Sequence, residues 1–347
     1  MKKWKWARAG TIAVTSSALL TLAGCGGSGS TSSESTEANA EETQTLTLAH
    51  IHNDASPVYQ SLEDFADKVE EKTDGSVEVD IYAEGVLGGE TKVMELVQNG
   101  VIDFAKVNGG VVESFDEQFS VFSLPYIFSS NEQFRSFMET DTIDNMYNDL
   151  SEAQLRGITY YDAGARSFYT RDTKVESPED LQGLKIRTMT NVTSIETMEM
   201  LGASPTPLAA TEVYTSLQQG VIDGAESSPI ALTDANHGEV AKQFSFDEHT
   251  RIPDFLIMSD NTWQELSEEE RTAIQEAGEE TTETHNERWD EMIEESMQQA
   301  EEEMGVEFSY PDQEPFREKV EPLIEERRSE SPDVDNVISE IEAMEEE

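Results

Sequence analysis

Two nine-residue stretches, VQNGVIDFA at residues 97–105 and LQQGVIDGA at residues 217–225, agree at six of nine positions with an offset of 120. Each follows a run of helical character, GETKVMEL before the first and TEVYTS before the second. Gly100 and Gly220 stand where a helix end favours a left-handed residue, and Val-Ile-Asp leads into a short apolar strand. A helix, a glycine turn and a buried strand make half of a βαβ unit. Meeting that half-unit twice predicts two α/β lobes of like topology. Open α/β sheets bind ligands beyond the carboxyl ends of their strands. That rule places Lys106, Val107 and Asn108 on one side of a cleft and Glu226, Ser227 and Ser228 on the other. Asp103 and Asp223, at matching places, are expected to fix the two turns.

The rest of the chain alternates in the same way. Residues 46–51, 76–82, 157–163 and 166–172 read as strands. Val58, Leu62, Phe65, Ala66 and Val69 recur at helical spacing within 57–73. Residues 191–202 read as a helix ended by Gly202, and residues 239–246 and 251–258 as segments that cross back between lobes. Ser267 to Glu270 form a capping box. It opens a long helix, bent near Gly278, that runs to Glu303 and stops at Gly305. One or two acidic helices follow Pro315. Trp263 and Trp289 lie on helical stretches and read as core or hinge packing.

The start of the chain reads as a leader. Lys2, Lys3, Lys5 and Arg8 precede the mostly apolar run 11–24. That run is short for a membrane span, which needs about 20 residues, and suits a secretory signal over 1–24. It ends in Leu22-Ala23-Gly24-Cys25, a lipobox-like sequence, and Cys25 is the only cysteine. No intrachain disulfide can form; lipidation of Cys25 would anchor the chain to a bilayer by two acyl chains. Residues 25–44 are then a lipidated Cys and a flexible tether. The expected division of the rest is 45–163 plus about 254–290 for the first lobe, and 164–253 plus about 291–325 for the second. Residues 326–347 form an acidic C-terminal helix.

The formal charge is −50, and removal of residues 1–24, which hold four basic and no acidic residues, takes it to −54. Self-repulsion of that size opposes folding and is relieved by salt, whose screening length falls to about 3 Å at 1 M. The charge is spread along the chain, which suits an outward-facing protein of a salty or alkaline habitat. It argues against nucleic acid, whose phosphates need Lys and Arg. The five histidines show no metal-ligand spacing, and no nucleophile motif or phosphate loop is present, so neither metal nor cofactor is expected. Against this acidity, the apolar strand in DLQGLKIRTM ends in a cation, Arg187. Its partner is either a carboxylate of the chain itself or one that arrives from outside.

Over roughly residues 45–325 the chain resembles the solute receptors of tripartite ATP-independent periplasmic (TRAP) transporters, the DctP type. The resemblance rests on FADKVEEKTDGSVEVDIYAEGVLGGETKVMELVQNGVIDFA, FSLPYIF at 122–128, GARSFYT at 164–170, SPEDLQGLKIRT at 177–188 and LGASPTPLAATEVYTSLQQGVIDGAE at 201–226. It implies a two-lobed, periplasmic-binding-protein-like α/β fold with crossing strands and a long C-terminal helix. It also implies an arginine whose planar fork grips a ligand carboxylate, here Arg187, and a second arginine, here Arg166. Ser227 stands where the family has Asn, and Ala210 where many members carry an aromatic. His50, Asn53, Glu84, Asn108, Glu226 and Tyr214 are the further ligand-binding candidates. The implied function is an extracytoplasmic, lipid-anchored, monomeric receptor. It would deliver a small organic acid, a uronate-like sugar acid or a dicarboxylate, to membrane permease subunits. A sensory receptor with the same ligand chemistry is an alternative. A sugar-acid lyase is another, and it would need a base poised by a second group, which the sequence does not display.

Overall fold

The structure is a computed structural model that describes residues 43–54 and 56–345. The leader, Cys25 and nearly all of the tether lie outside the described residues. Among those residues no helix is long and apolar enough to cross a membrane.

Two mixed sheets carry the fold. The first holds β1 (Gln44–Ala49), β2 (Val77–Tyr82), β3 (Phe104–Asn108), β4 (Leu155–Tyr161) and β10 (Asp254–Ser259), in the order β2-β1-β3-β10-β4. The second holds β5 (Ala165–Thr170), β6 (Lys185–Thr188), β7 (Ser204–Pro207), β8 (Gly224–Ser227), β9 (Gln243–Arg251) and β11 (Glu307–Ser309), in the order β11-β9-β5-β8-β6-β7. In each, three parallel strands are followed by an antiparallel fourth that arrives from the other sheet. The chain passes across at 162–164, between β4 and β5, and returns at 252–253, between β9 and β10. Residues 239–246, read from sequence as a crossing segment, stay with the second sheet: β9 pairs with β5 through residues 243–245 and again through 250–251, on either side of an irregularity. The return is confined to Ile252 and Pro253, because β9 and β10 lie in different sheets.

Helices cover the sheets. α1 (Pro57–Lys72) and α9 (Glu268–Glu302) pack with Leu46, Leu48, Phe104 and Leu256 on one face of the first sheet. Its other face is covered by α2 (Glu90–Gln98), the short α3 (Gly109–Val112), α4 (Asn131–Phe137) and α5 (Asp141–Asp149), around Phe119, Phe122 and Phe255. On the second sheet, α6 (Val192–Leu201) and α7 (Val213–Gln219) lie in separate cores, one with Phe168 and one with Tyr169. α8 (Asp260–Glu265) precedes α9. α9 starts with the expected capping box at Ser267 and Glu270 and runs unbroken through Gly278, where it packs against Thr159 of β4. Two helices follow Pro315. α10 (Glu314–Glu330) buries Phe316 and Val320 against the second sheet's core, whereas α11 (Pro332–Glu345) buries Val334, Val337, Ile338 and Ile341 in the first's.

Both copies of the repeat fold alike. α2 and α7 end just before Gly100 and Gly220, whose φ values of 64° and 69° a side chain would strain. Asp103 Oδ2 then accepts from Thr47 N at 2.8 Å, and Asp223 Oδ2 from Lys185 N at 2.9 Å. Each aspartate thereby ties its turn to the neighbouring parallel strand.

Candidate functional site

β1, β3, β6 and β8 deliver their carboxyl ends to one cavity of about 280 Å³, lined by residues of both sheets. Arg187 of β6 is 8 % exposed. Its Nε and Nη2 both donate to the Leu208 carbonyl, at 3.0 and 2.8 Å. Among the described residues it forms no ion pair. Burial lowers its pKa, and the nearby charge of Glu226 opposes that shift. The chain therefore holds this guanidinium with a carbonyl rather than a carboxylate, and its Nη1 takes no part in the grip.

Arg166 of β5 is committed differently. Its Nε pairs with Glu226 Oε2, and its Nη2 donates to the Glu226 carbonyl at 2.6 Å. His249 stands behind them, with Nε2 3.7 Å from Glu226 Oε2 and Nδ1 2.7 Å from Asp247 Oδ2. Burial would raise the Glu226 pKa, but the Arg166 charge and the His249 contact overcome it and hold the carboxyl at about 2. Burial would likewise lower His249, yet Asp247 and Glu226 push it up to about 9.

The opposite wall is built around Lys106 of β3, which is 1 % exposed. Its Nζ lies 2.7 Å from Asp254 Oδ2, 2.6 Å from His52 Nε2 and 3.5 Å from Glu90 Oε1. Asn108 donates to Asp254 Oδ1 at 3.2 Å, while its own oxygen caps α3 at Gly110 N. Burial opposes ionisation of Asp254, but Lys106 and His52 reverse that and depress its pKa.

The structure brings Arg187, Arg166, Glu226, Ser227, Asn108 and Asn53 to the cavity. Three other candidates fall outside its lining. His50 is buried beneath, its Nδ1 accepting from His52 N and its ring against Tyr59. β1 has ended at Ala49, so strand alternation does not carry past it, and His52 is the histidine that reaches the cavity. Glu84 is exposed in a turn with φ 56°, and the carboxylate that enters from this region is Glu90 at the start of α2. Tyr214 turns away on α7 and donates to Glu239 at 2.6 Å; Ala210, Thr211 and Val213 line the cavity from that segment. Val107 points into the core, opposite Lys106 and Asn108, as alternation along a strand requires.

Several lining residues escaped the sequence reading. Asp254 and Glu90 reach Lys106 only through sheet register and helix placement, which no local signal displays. Trp289 of α9 is a wall residue as well as a packing one. Its Nε1 approaches Gly164 so closely that a Cβ there would lie 3.0 Å away. Among the described residues no group of three or more acidic, His or Cys side chains is placed to hold a metal ion.

Residues 48–330 match the family model of bacterial extracellular solute-binding proteins, family 7, the DctP family. The chain belongs to this family. Within it, the chain is 42 % identical over 270 residues to an uncharacterized protein of Salmonella typhimurium, YiiZ, covering 78 % of this chain and 83 % of that one. Among solved structures, it resembles a TRAP periplasmic solute-binding protein of Anaerococcus prevotii with bound D-glucuronate. The TM-score is 0.85 and the identity 34 %, over 88 % of this chain and 99 % of the other. It also resembles a TRAP protein of a Sulfitobacter species with bound β-D-galacturonate, with TM-score 0.82 and 32 % identity over 85 % and 98 % of the two chains. The two-lobed solute-receptor fold expected from the sequence is thus the fold of this family.

Proposed function

We propose that this DctP-family receptor captures a small sugar acid of the uronate kind and presents it to a TRAP membrane permease. The observation that carries the reading is Arg187: a buried guanidinium, fixed by the Leu208 carbonyl and unpaired by any described carboxylate, facing a cavity. A planar fork of this kind suits a ligand carboxylate. Ser227, Asn108 and Asn53 supply neutral polar groups for hydroxyls. The ligands bound by the Anaerococcus and Sulfitobacter proteins support a uronate over a keto acid. Closure of the lobes, divided near 163 and 253, would bury the acid, and contacts to both lobes would favour the closed state. The deeply buried carboxylates Glu226 and Asp254 are each held by a cation, which supports binding rather than turnover as the activity.

Calorimetric titration with D-glucuronate and D-galacturonate tests the reading. Arg187→Ala should weaken binding by roughly a hundredfold to several thousandfold, the equivalent of about 3–5 kcal/mol. The melting temperature of the empty protein should fall by no more than a few degrees, since the two hydrogen bonds to the Leu208 carbonyl are lost but no ion pair is broken. Arg187→Lys, which keeps the charge and loses the fork, should fall between. Tight binding by a well-folded Arg187→Ala protein would end the claim. We also propose that the receptor acts as a monomer anchored through lipidated Cys25; a diacylglyceryl adduct on Cys25 in the membrane fraction is the expected mass, and a soluble chain retaining residues 1–24 would refute it.

A further inference from the structure

Three cations line the cavity, and two are already matched. Lys106 is held by Asp254 and Glu90, and Arg166 by Glu226. Arg187 is the cation without an ion pair among the described residues. Of the lining carboxylates, Asp234 alone takes part in no ion pair among those residues. It lies between the short helical turns Pro229–Leu232 and His237–Glu239, and its Oδ1 has no hydrogen-bond partner among the described residues. Asn53 of the first lobe donates to the Asp234 carbonyl at 3.2 Å, which holds this segment at the seam between the two walls. Arg187 and Asp234 do not pair with each other. The cavity thus presents one cation without an ion pair and, elsewhere on its wall, one carboxylate without one; burial raises the Asp234 pKa, and His52, Asn53, Ser56 and Lys106 oppose that rise and favour its charged form.

We infer that the cleft admits a single carboxylate, and that Asp234 is the residue that turns away a second one. The ligand is then a polyhydroxylated monoacid. A hydroxyl can donate to the Asp234 carboxylate, whereas a second carboxylate has no donor to offer and no free cation to meet. Specificity of this kind comes from a repulsive element as well as an attractive one. The polyhydroxylated body rests on the uronate reading above; the limit of one charge does not.

The test uses open-chain pairs differing in one terminal carboxylate, D-gluconate against D-glucarate and D-galactonate against galactarate, beside the two uronates, titrated calorimetrically at pH 7. The wild-type protein should bind each monoacid at least about tenfold tighter than its diacid, a modest figure for like charges meeting inside a protein. Asp234→Asn should close most of that gap, and Asp234→Glu should keep it. Asp234→Ser gives a second neutral variant should the asparagine protein fail to melt cooperatively. A diacid bound as tightly as its open-chain monoacid by the wild-type chain would overturn the inference. A gap that persists in both neutral variants would remove Asp234 from it. If neither sugar acids nor their diacids bind, the uronate reading falls by itself. The pairs pyruvate and oxaloacetate, or lactate and malate, then decide the charge limit: a preferred monoacid upholds it, and a preferred diacid overturns it.

Discussion

The two sheets are built on one plan, and residues in matching places show what each lobe does with it. Asp103 and Asp223 make the same backbone contact in both. Three residues further on, the plan holds and the charge inverts: Lys106 stands in β3 where Glu226 stands in β8. Even the partners correspond. Asp254 lies opposite Asn108 in β10, two residues beyond Lys106. Arg166 precedes Ser167, which lies opposite Ser227, so it too reaches the buried charge along the diagonal. The lobes part company at the neighbouring strand. Ala49 pairs with Ala105 in the first sheet and Arg187 with Ala225 in the second, so the unpaired cation takes the place of an alanine methyl. The repeated scaffold fixes where a buried charge sits and closes each one with its own partner. The unmatched charge is added at a position where the repeat has none.

The largest effects should come from breaking the inverted pairs. Lys106→Met strands Asp254, and Glu226→Gln strands Arg166 beside His249. Each should lower stability by about 3–5 kcal/mol, read from denaturant unfolding, because a buried partner left alone is costly. A loss under about 1 kcal/mol in either would show that the two walls are not equivalent. Next in size is opposite behaviour with pH. His249 is raised to about 9, so its contribution is complete below pH 6.5 and is lost as the pH rises through about 9. His50 is held down at about 3, by burial first and then by His52 and Lys106, so its contribution is complete above pH 6.5 and is lost as the pH falls toward 3. Each limb is worth a few kcal/mol, the His50 limb more than the His249 limb. His249→Gln should flatten the alkaline limb of a melting profile and His50→Gln part of the acid limb; a profile unchanged by both would contradict the assignment. The smallest effects belong to the shared feature. Asp103→Asn and Asp223→Asn should each cost about 1 kcal/mol. The first should cost more, since Asp103 also accepts from Thr262 at 2.7 Å.

What the sequence made legible is what local chemistry encodes. The glycine turns, the capping box at Ser267 and the half-units around Asp103 and Asp223 each depend on residues a few positions apart. Arg187 could be singled out because it ends a short apolar strand in an acidic chain. The two diagonal pairs were not legible, because they depend on which strand lies beside β3 and β8, and both neighbours arrive from the other sheet. His50, Glu84 and Tyr214 lie outside the cavity lining for a related reason. Their segments do reach the cleft, but the residue that turns inward is set by where a strand or helix ends, and His52, Glu90 and Thr211 hold those places.

The chain is threaded between its halves more than once. It crosses at 162–164 and again at 252–253, α9 packs with α1 near one end and places Ala300 in the second sheet's core at the other, and α10 and α11 divide their apolar faces between the two sheets. Neither half consists of one continuous stretch of chain. A half that melted would pull on elements whose packing belongs to the other, so partial unfolding exposes core on both sides at once. The two sheets are therefore expected to unfold as one cooperative unit, with heat or denaturant taking them apart in a single transition.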